Sequence, residues 1–269
     1  MSASSLVETA IVDELARRAA AVGAGGNAYS LLAWIDGIAS AYGDVPGLVR
    51  TLDGATRDLG PLGDAVRERA RAAARPLATP ADRPLDELDA RIDALIVRLE
   101  ARDPLSSEHS RAVAAWCARL ARRLGFDAVD TAFASRCGLL HDVGKVLTPL
   151  EVLNAPRALD EREWRVMRAH AAAGEAIVGR IPQLRPFTPA VRSHHERLDG
   201  HGYPDGLRLG RIPLMARIVA VADCFNAMIG RRPYRPPMSP TRAIEELMRC
   251  RGTQLDPDIV DAMVDVVLG

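Results

Sequence analysis

One stretch, residues 212–229, most constrains the fold. It is nearly all apolar and long enough for about five helical turns, so it has to sit in the middle of whatever the chain builds. Asp223 interrupts it. An unpaired carboxylate deep in such a helix costs several kcal/mol, and the physical remedy is a metal ion or a positive partner.

The histidines show where that partner is to be sought. All six lie between residues 109 and 201, as His109, His141 beside Asp142, His170, the pair His194–His195, and His201. Imidazole and carboxylate together are ligands for Fe, Mn, Zn or Ni. Residues 193–206 read S-H-H-E-R-L-D-G-H-G-Y-P-D-G, a histidine pair running into a glycine-rich loop that Pro204 stiffens. Of 35 basic residues, Lys145 alone is a lysine, three positions after Asp142. A compact ammonium and a planar guanidinium are not interchangeable in a tight site, which marks Lys145 as a candidate catalytic residue.

The rest reads as helices. Leu85, Leu88, Ile92, Leu95, Ile96 and Leu99 repeat at three and four, the pattern of an amphipathic helix. After Asp103-Pro104, Ser106 or Ser107 is expected to cap a second helix over about 108–124, with His109 in its first turn and Gly125 ending it. A third is expected over about 127–142, ending in His141-Asp142, and a continuous one over 160–179 with His170 midway. Residues 242–250 and 258–268 complete the set. Convincing alternating strands are absent, so the expected fold is all-α. Residues 1–83 read as a smaller helical N-terminal module of unknown role and a candidate for homodimerisation. Residues 73–84, with three prolines, are the linker, and residues 84–269 form the second domain.

A formal net charge of zero argues against a nucleic-acid polymer or a membrane surface as partner. Cys117, Cys137, Cys224 and Cys250 are widely spaced, with no C-x-x-C, and read as free thiols in a reducing compartment. No apolar run approaches the ~18 residues of a membrane helix, and no leader opens the chain, so a cytoplasmic location is expected.

H-D-V-G-K at 141–145, H-H-E-R-L-D-G-H-G-Y-P-D-G at 194–206 and V-A-D-C-F-N-A at 221–227 resemble the HD-GYP family, a branch of the HD metal-dependent phosphohydrolases. R-P-Y-R at 232–235 and G-T-Q-L-D-P at 252–257 extend the likeness, which covers about residues 86–269. The resemblance implies an HD-type helical bundle with a buried binuclear metal site. It also implies metal-dependent hydrolysis of the bacterial messenger cyclic di-GMP to linear pGpG and onward to GMP. By the same resemblance, Asp142 bridges two metals, Fe or Mn. His109, His141 and Asp223 complete one, and His170, His194 and His195 the other. Lys145 holds a phosphate oxygen, Arg232 and Arg235 contact substrate phosphates, and Gly202, Tyr203 and Pro204 form the loop beside the substrate. Two metals about 3.5–4 Å apart can make a nucleophile from water and stabilise an in-line displacement.

This chain departs from the family pattern at four places. Leu105 stands where three-metal members carry Glu, and Glu108 is a poor substitute, so two metals are expected. Asn226 replaces a second Asp, Pro236 a Lys, and His201 a small residue. These changes leave open a second reading: a weak or inactive cyclic di-GMP receptor, or an interaction module whose Gly202-Tyr203-Pro204 loop serves a partner protein. A mononucleotide phosphohydrolase is disfavoured by the long loop and the added histidines.

Overall fold

The computed structural model describes Arg18, residues 85–230 and residues 236–269. The expected front module and its linker therefore lie outside the described residues, except Arg18, whose guanidinium pairs with Asp130 at 2.9 Å and Asp127 at 3.3 Å. Regular structure among the described residues is all helical, and two isolated backbone bridges are its nearest approach to strand pairing.

Helix α1 (Leu85–Arg102) buries Ile92, Leu95, Ile96 and Leu99, the stripe expected from their spacing. Helix α2 (Pro104–Arg123) begins four residues before its expected start. Its N-cap is Asp103, whose side chain accepts the Leu105 N–H, and Pro104 fills the first helical position, where a missing N–H costs nothing. Ser106 and Ser107 are buried inside the helix rather than capping it. Helix α3 (Ala128–Leu140) is capped by Asp127 and stops one residue short of His141. The chain then tightens into a 3₁₀ turn (Val143–Leu147) instead of continuing as α-helix.

A short α4 (Leu150–Leu153) leads to α5 (Glu161–Arg168), which Asp160 and Glu163 start with a reciprocal capping box. The single helix expected over 160–179 is two helices. It breaks at Ala169, and His170 opens α6 (His170–Gly179) rather than sitting mid-helix. Helix α7 (Thr188–Ser193) runs into the histidine pair, and α8 (Leu214–Ile229) carries Asp223. Helices α9 (Pro240–Cys250) and α10 (Pro257–Leu268) close the chain, each with Pro at its first position.

Helix α8 is central, as its composition requires: it packs against α2, α3, α7, α9 and α10. Its Phe225 meets Trp116 of α2 edge to face at 4.9 Å, and its partly buried Arg217 pairs with the buried cap residue Asp256. Pairing each of those charges keeps either from being stranded in the core. Among the described residues no helix is long and apolar enough to cross a membrane.

Candidate metal centre

Four chain segments meet at one buried point: the second turn of α2, the end of α3 with its 3₁₀ turn, the first residue of α6, and the residues just after α7. The face of α8 that carries Asp223 closes the group. Gly144 makes this convergence possible. A β-carbon there would lie 2.0 Å from the His170 carbonyl oxygen and 2.5 Å from the Gly174 nitrogen, so only glycine lets the 3₁₀ turn lie directly on α6.

The histidines are oriented by a repeated device. His141 Nδ1 lies 2.7 Å from the Gly138 carbonyl, His170 Nδ1 2.8 Å from that of Met167, and His194 Nδ1 2.8 Å from that of Val191. A carbonyl only accepts, so each Nδ1 carries its proton there. In the neutral ring, that leaves the Nε2 lone pair facing inward. His170 Nε2 and His194 Nε2 are 3.3 Å apart, and His170 Nε2 lies 3.3 Å from Asp142 Oδ1. His141 Nε2 lies 3.2 Å from Asp142 Oδ2. Buried His141 Nε2 and Asp142 Oδ1 nevertheless have no hydrogen-bond partner.

Acceptors are thus turned toward acceptors in a region closed to water, an arrangement that a cation resolves. Asp142, His170, His194 and His195 form one set that could hold a metal ion, and His109, His141 and Asp142 form another. Asp142 belongs to both. Its carboxyl is held well below the usual carboxylate range: burial pushes it up, but His141, Lys145 and His170 together outweigh that. Burial pushes His170 and His194 below the ordinary histidine range, and His195 down to about 3, which favours the neutral, ligating form. His141 goes the other way, because the Asp142 charge overrides its burial.

His109 is held differently. Its Nε2 lies 2.9 Å from Asp223 Oδ1, the positive-capable partner that the apolar helix demanded, and its Nδ1 lies 2.8 Å from the Asn226 amide. Asp223 stays ionised because that histidine bond outweighs its burial. Asn226, which replaces the second Asp, is buried against His109. Asp223 and Asn226 are three apart on α8, so both reach the same ring, a relation their spacing already carried.

Lys145 Nζ donates to Asp142 Oδ2 at 2.6 Å, so the lone lysine sits on the shared carboxylate. Tyr203 stacks on His195 with ring centres 4.6 Å apart, while Pro204 is exposed and joined to Tyr203 by a cis bond. The loop is folded against the cluster. A β-carbon at Gly202 would meet the Arg197 nitrogen at 2.4 Å and the His195 carbonyl oxygen at 2.6 Å.

Glu196 was not singled out from the sequence, yet its buried carboxylate accepts the Asp205 N–H at 2.7 Å and the Leu207 N–H at 2.9 Å. That clamp fixes the loop's far side. A carboxylate directly after two histidines was the available signal. His201 is exposed beside Asp199 and takes no part in the cluster. Leu105 and Glu108 are both exposed, and neither belongs to either metal-capable set. Cys117 and Cys137 are buried free thiols, and Cys224 and Cys250 are partly buried free thiols. Arg232 and Arg235 lie outside the described residues.

The family model described as HD domain matches residues 93–259. The chain is 36% identical over 179 residues to 3'3'-cGAMP-specific phosphodiesterase 3 of Vibrio cholerae serotype O1, covering 65% of this chain and 39% of that protein. It is 34% identical over 175 residues to a cyclic di-GMP phosphodiesterase of Thermotoga maritima, covering 64% of this chain and 48% of the relative. It therefore spans less than half the length of these two relatives. Among solved structures, an HD-GYP-type protein from Bdellovibrio bacteriovorus shares the fold, with a TM-score of 0.51 and 18% identity over 87% of this chain and 77% of that one.

Proposed function

The chain belongs to the HD domain family, in its HD-GYP branch, and from that premise we propose that it is a metal-dependent phosphodiesterase of cyclic dinucleotides. Cyclic di-GMP is the expected substrate and linear pGpG the first product. The observation that carries this reading is the buried set of inward-facing acceptors around Asp142, which calls for cations and lies beside a lysine.

The ligand roles extend the two sets. Asp142 would serve both ions, with His109 and His141 on one side and His170, His194 and His195 on the other. Asp223, which lies in neither set but meets His109 Nε2 at 2.9 Å, is the further proposed ligand on the His109 side. Divalent ions held there would neutralise the phosphodiester and lower the pKa of a coordinated water. Two ions are proposed, since Leu105 and Glu108 both face solvent. Mixed imidazole and carboxylate suit Fe or Mn, and the nearby Cys224 thiol is kept protonated by burial.

The protein's own groups supply orientation and charge. Gly138, Met167 and Val191 carbonyls fix three imidazoles in the ligating tautomer. Lys145 stands where it steadies Asp142 and presents a cation to a non-bridging phosphate oxygen, where negative charge grows during displacement. Tyr203, packed on His195 and backed by the Glu196 clamp, shields that flank from water. Arg232 and Arg235 remain proposed phosphate contacts.

The test combines metal analysis with anaerobic product analysis on cyclic di-GMP, for Fe, Mn, Ni and Zn in turn. Two ions per chain and cleavage to the linear dinucleotide are expected. One ion or three at full loading would overturn the stoichiometry. Binding without turnover under every metal would replace the enzyme with a receptor.

A further inference from the structure

Outside the cluster, one arginine is held by two aromatic rings. Arg157 pairs with Glu163, Arg192 with Glu175 and Asp205, and Arg197 with Asp199. Arg168 at the end of α5 is exposed, and no described carboxylate pairs with it. Its guanidinium carbon lies 5.4 Å from the Tyr203 ring centre and 5.7 Å from that of Trp164. Trp164, one helical turn earlier on the same face, is 46% exposed in a chain with few aromatics. The contacts form a continuous line: His195 of the cluster, then Tyr203, Arg168 and an open indole.

Resting on the phosphodiesterase reading above, we infer that Trp164 and Arg168 hold a guanine base of the substrate while its phosphate lies at the cluster. The two side chains have separable tasks. An indole face stacks any base, so Trp164 contributes affinity without discrimination. Arginine offers only donors, in a planar fork. The outer edge of guanine presents two acceptors, N7 and O6, which match that fork. Adenine places an amino donor beside N7 and meets the fork donor to donor. Arg168 is therefore the specificity-determining residue for guanine over adenine. Being held against two aromatic faces rather than by a carboxylate leaves its N–H groups available for that edge.

The experiment measures kcat/KM for cyclic di-GMP, 3'3'-cGAMP and cyclic di-AMP, with metal content checked, on metal-loaded wild type, Arg168→Gln and Trp164→Ala. Arg168→Gln should lower kcat/KM for cyclic di-GMP by roughly 5–150-fold, the worth of one bidentate base contact, and spare cyclic di-AMP. Glutamine pairs with adenine, so the guanine-to-adenine ratio should fall. Trp164→Ala should raise KM for all three alike, with kcat little changed. Equal losses on all three nucleotides in Arg168→Gln, as a phosphate contact would give, or no loss, overturn the base assignment and leave the phosphodiesterase reading standing. A wild type that cleaves none of the three sinks the phosphodiesterase reading instead. Binding titrations with the same nucleotides then judge the base assignment by the same ratio, and absence of binding overturns it too.

Discussion

The two sides of the cluster differ in how they are satisfied. On the α2–α8 side, His109 already has Asp223 at its inward nitrogen and Asn226 at its outward one. On the α6–α7 side, His170, His194 and His195 crowd one another, and Asp142 is the one carboxylate in their metal-capable set. The first side can rest as a hydrogen-bonded pair. The second has acceptors facing acceptors, so its order depends more on the cation. Asp142 joins the two, and the predictions that follow probe that asymmetry.

Removing the shared carboxylate should have the largest effect. Asp142→Ala takes one ligand from each proposed ion and leaves the buried histidines around a more cationic space. Turnover should fall below detection, at least ~10³-fold, with loss of one ion or both by elemental analysis. Circular dichroism should show the helices intact, since the packing of α2, α3 and α8 does not run through that side chain. Retention of one ion would sharpen the comparison, because the surviving side is then identified by which histidines still show metal-shifted resonances. Full metal content would break it.

Lys145→Ala comes next. Loss of one electrostatic stabiliser lowers turnover by roughly 10²–10³-fold. Metal content should stay near that of wild type if the lysine acts on substrate. A parallel loss of metal would instead mean that its bond to Asp142 chiefly orients the shared ligand.

The fold was legible in the sequence wherever apolar spacing alone decides structure. Residues 85–99 and 212–229 gave α1 and the central α8 because their burial is dictated by period and composition. That His109, His141, Asp142, His170, His194 and His195 meet at one place was legible because the chain confines its histidines to residues 109–201 and sets Asp142 beside one of them. What escaped was decided locally by caps or at a distance by packing. Two serines after Asp103-Pro104 looked like caps, but Pro104 at the first helical position makes Asp103 the better one. The break at Ala169 has no glycine or proline to announce it. Gly144 and Glu196 do their work through contacts with residues outside their own turn, which no local pattern contains.

Gly144→Ala tests how far the metal side depends on backbone fit. The added methyl meets the backbone of α6 at a distance no real contact allows, so either the 3₁₀ turn or His170 has to move. A destabilisation of about 3 kcal/mol by denaturant titration is expected, at the upper end of ordinary overpacking. Metal should be weakened on the His170 side before the His109 side. By contrast, Gly179→Ala places its methyl 3.6 Å from Thr188, an ordinary contact, and should change metal binding little. Equal effects from both variants would show that close approach at Gly144 is not what holds the two segments together.

The smallest effect is expected from acid, and it separates the two sides most directly. His170, His194 and His195 titrate below their ordinary range in the fold, His195 at about 3, whereas an unfolded histidine titrates near ~6.5. Between those values the unfolded chain binds more protons than the native one, so stability falls as pH falls. His141 opposes this, since its raised value lets the native state take a proton beside Asp142. Asp142 and Asp223 are both lowered, so their contribution is lost only as pH falls toward and through the unfolded carboxylate value of ~4, below this window. The metal-free protein should therefore lose about 1–2 kcal/mol between pH 7.5 and 5.5, measured by denaturant titration after chelation. Loading with metal should hold the imidazoles deprotonated and move the loss to lower pH. In the chelated protein, amide exchange across residues 170–195 should rise before exchange in α2 and α8. Uniform exchange across both sides would mean that the His109–Asp223 pair confers no independence from the metal, and the asymmetry would fail.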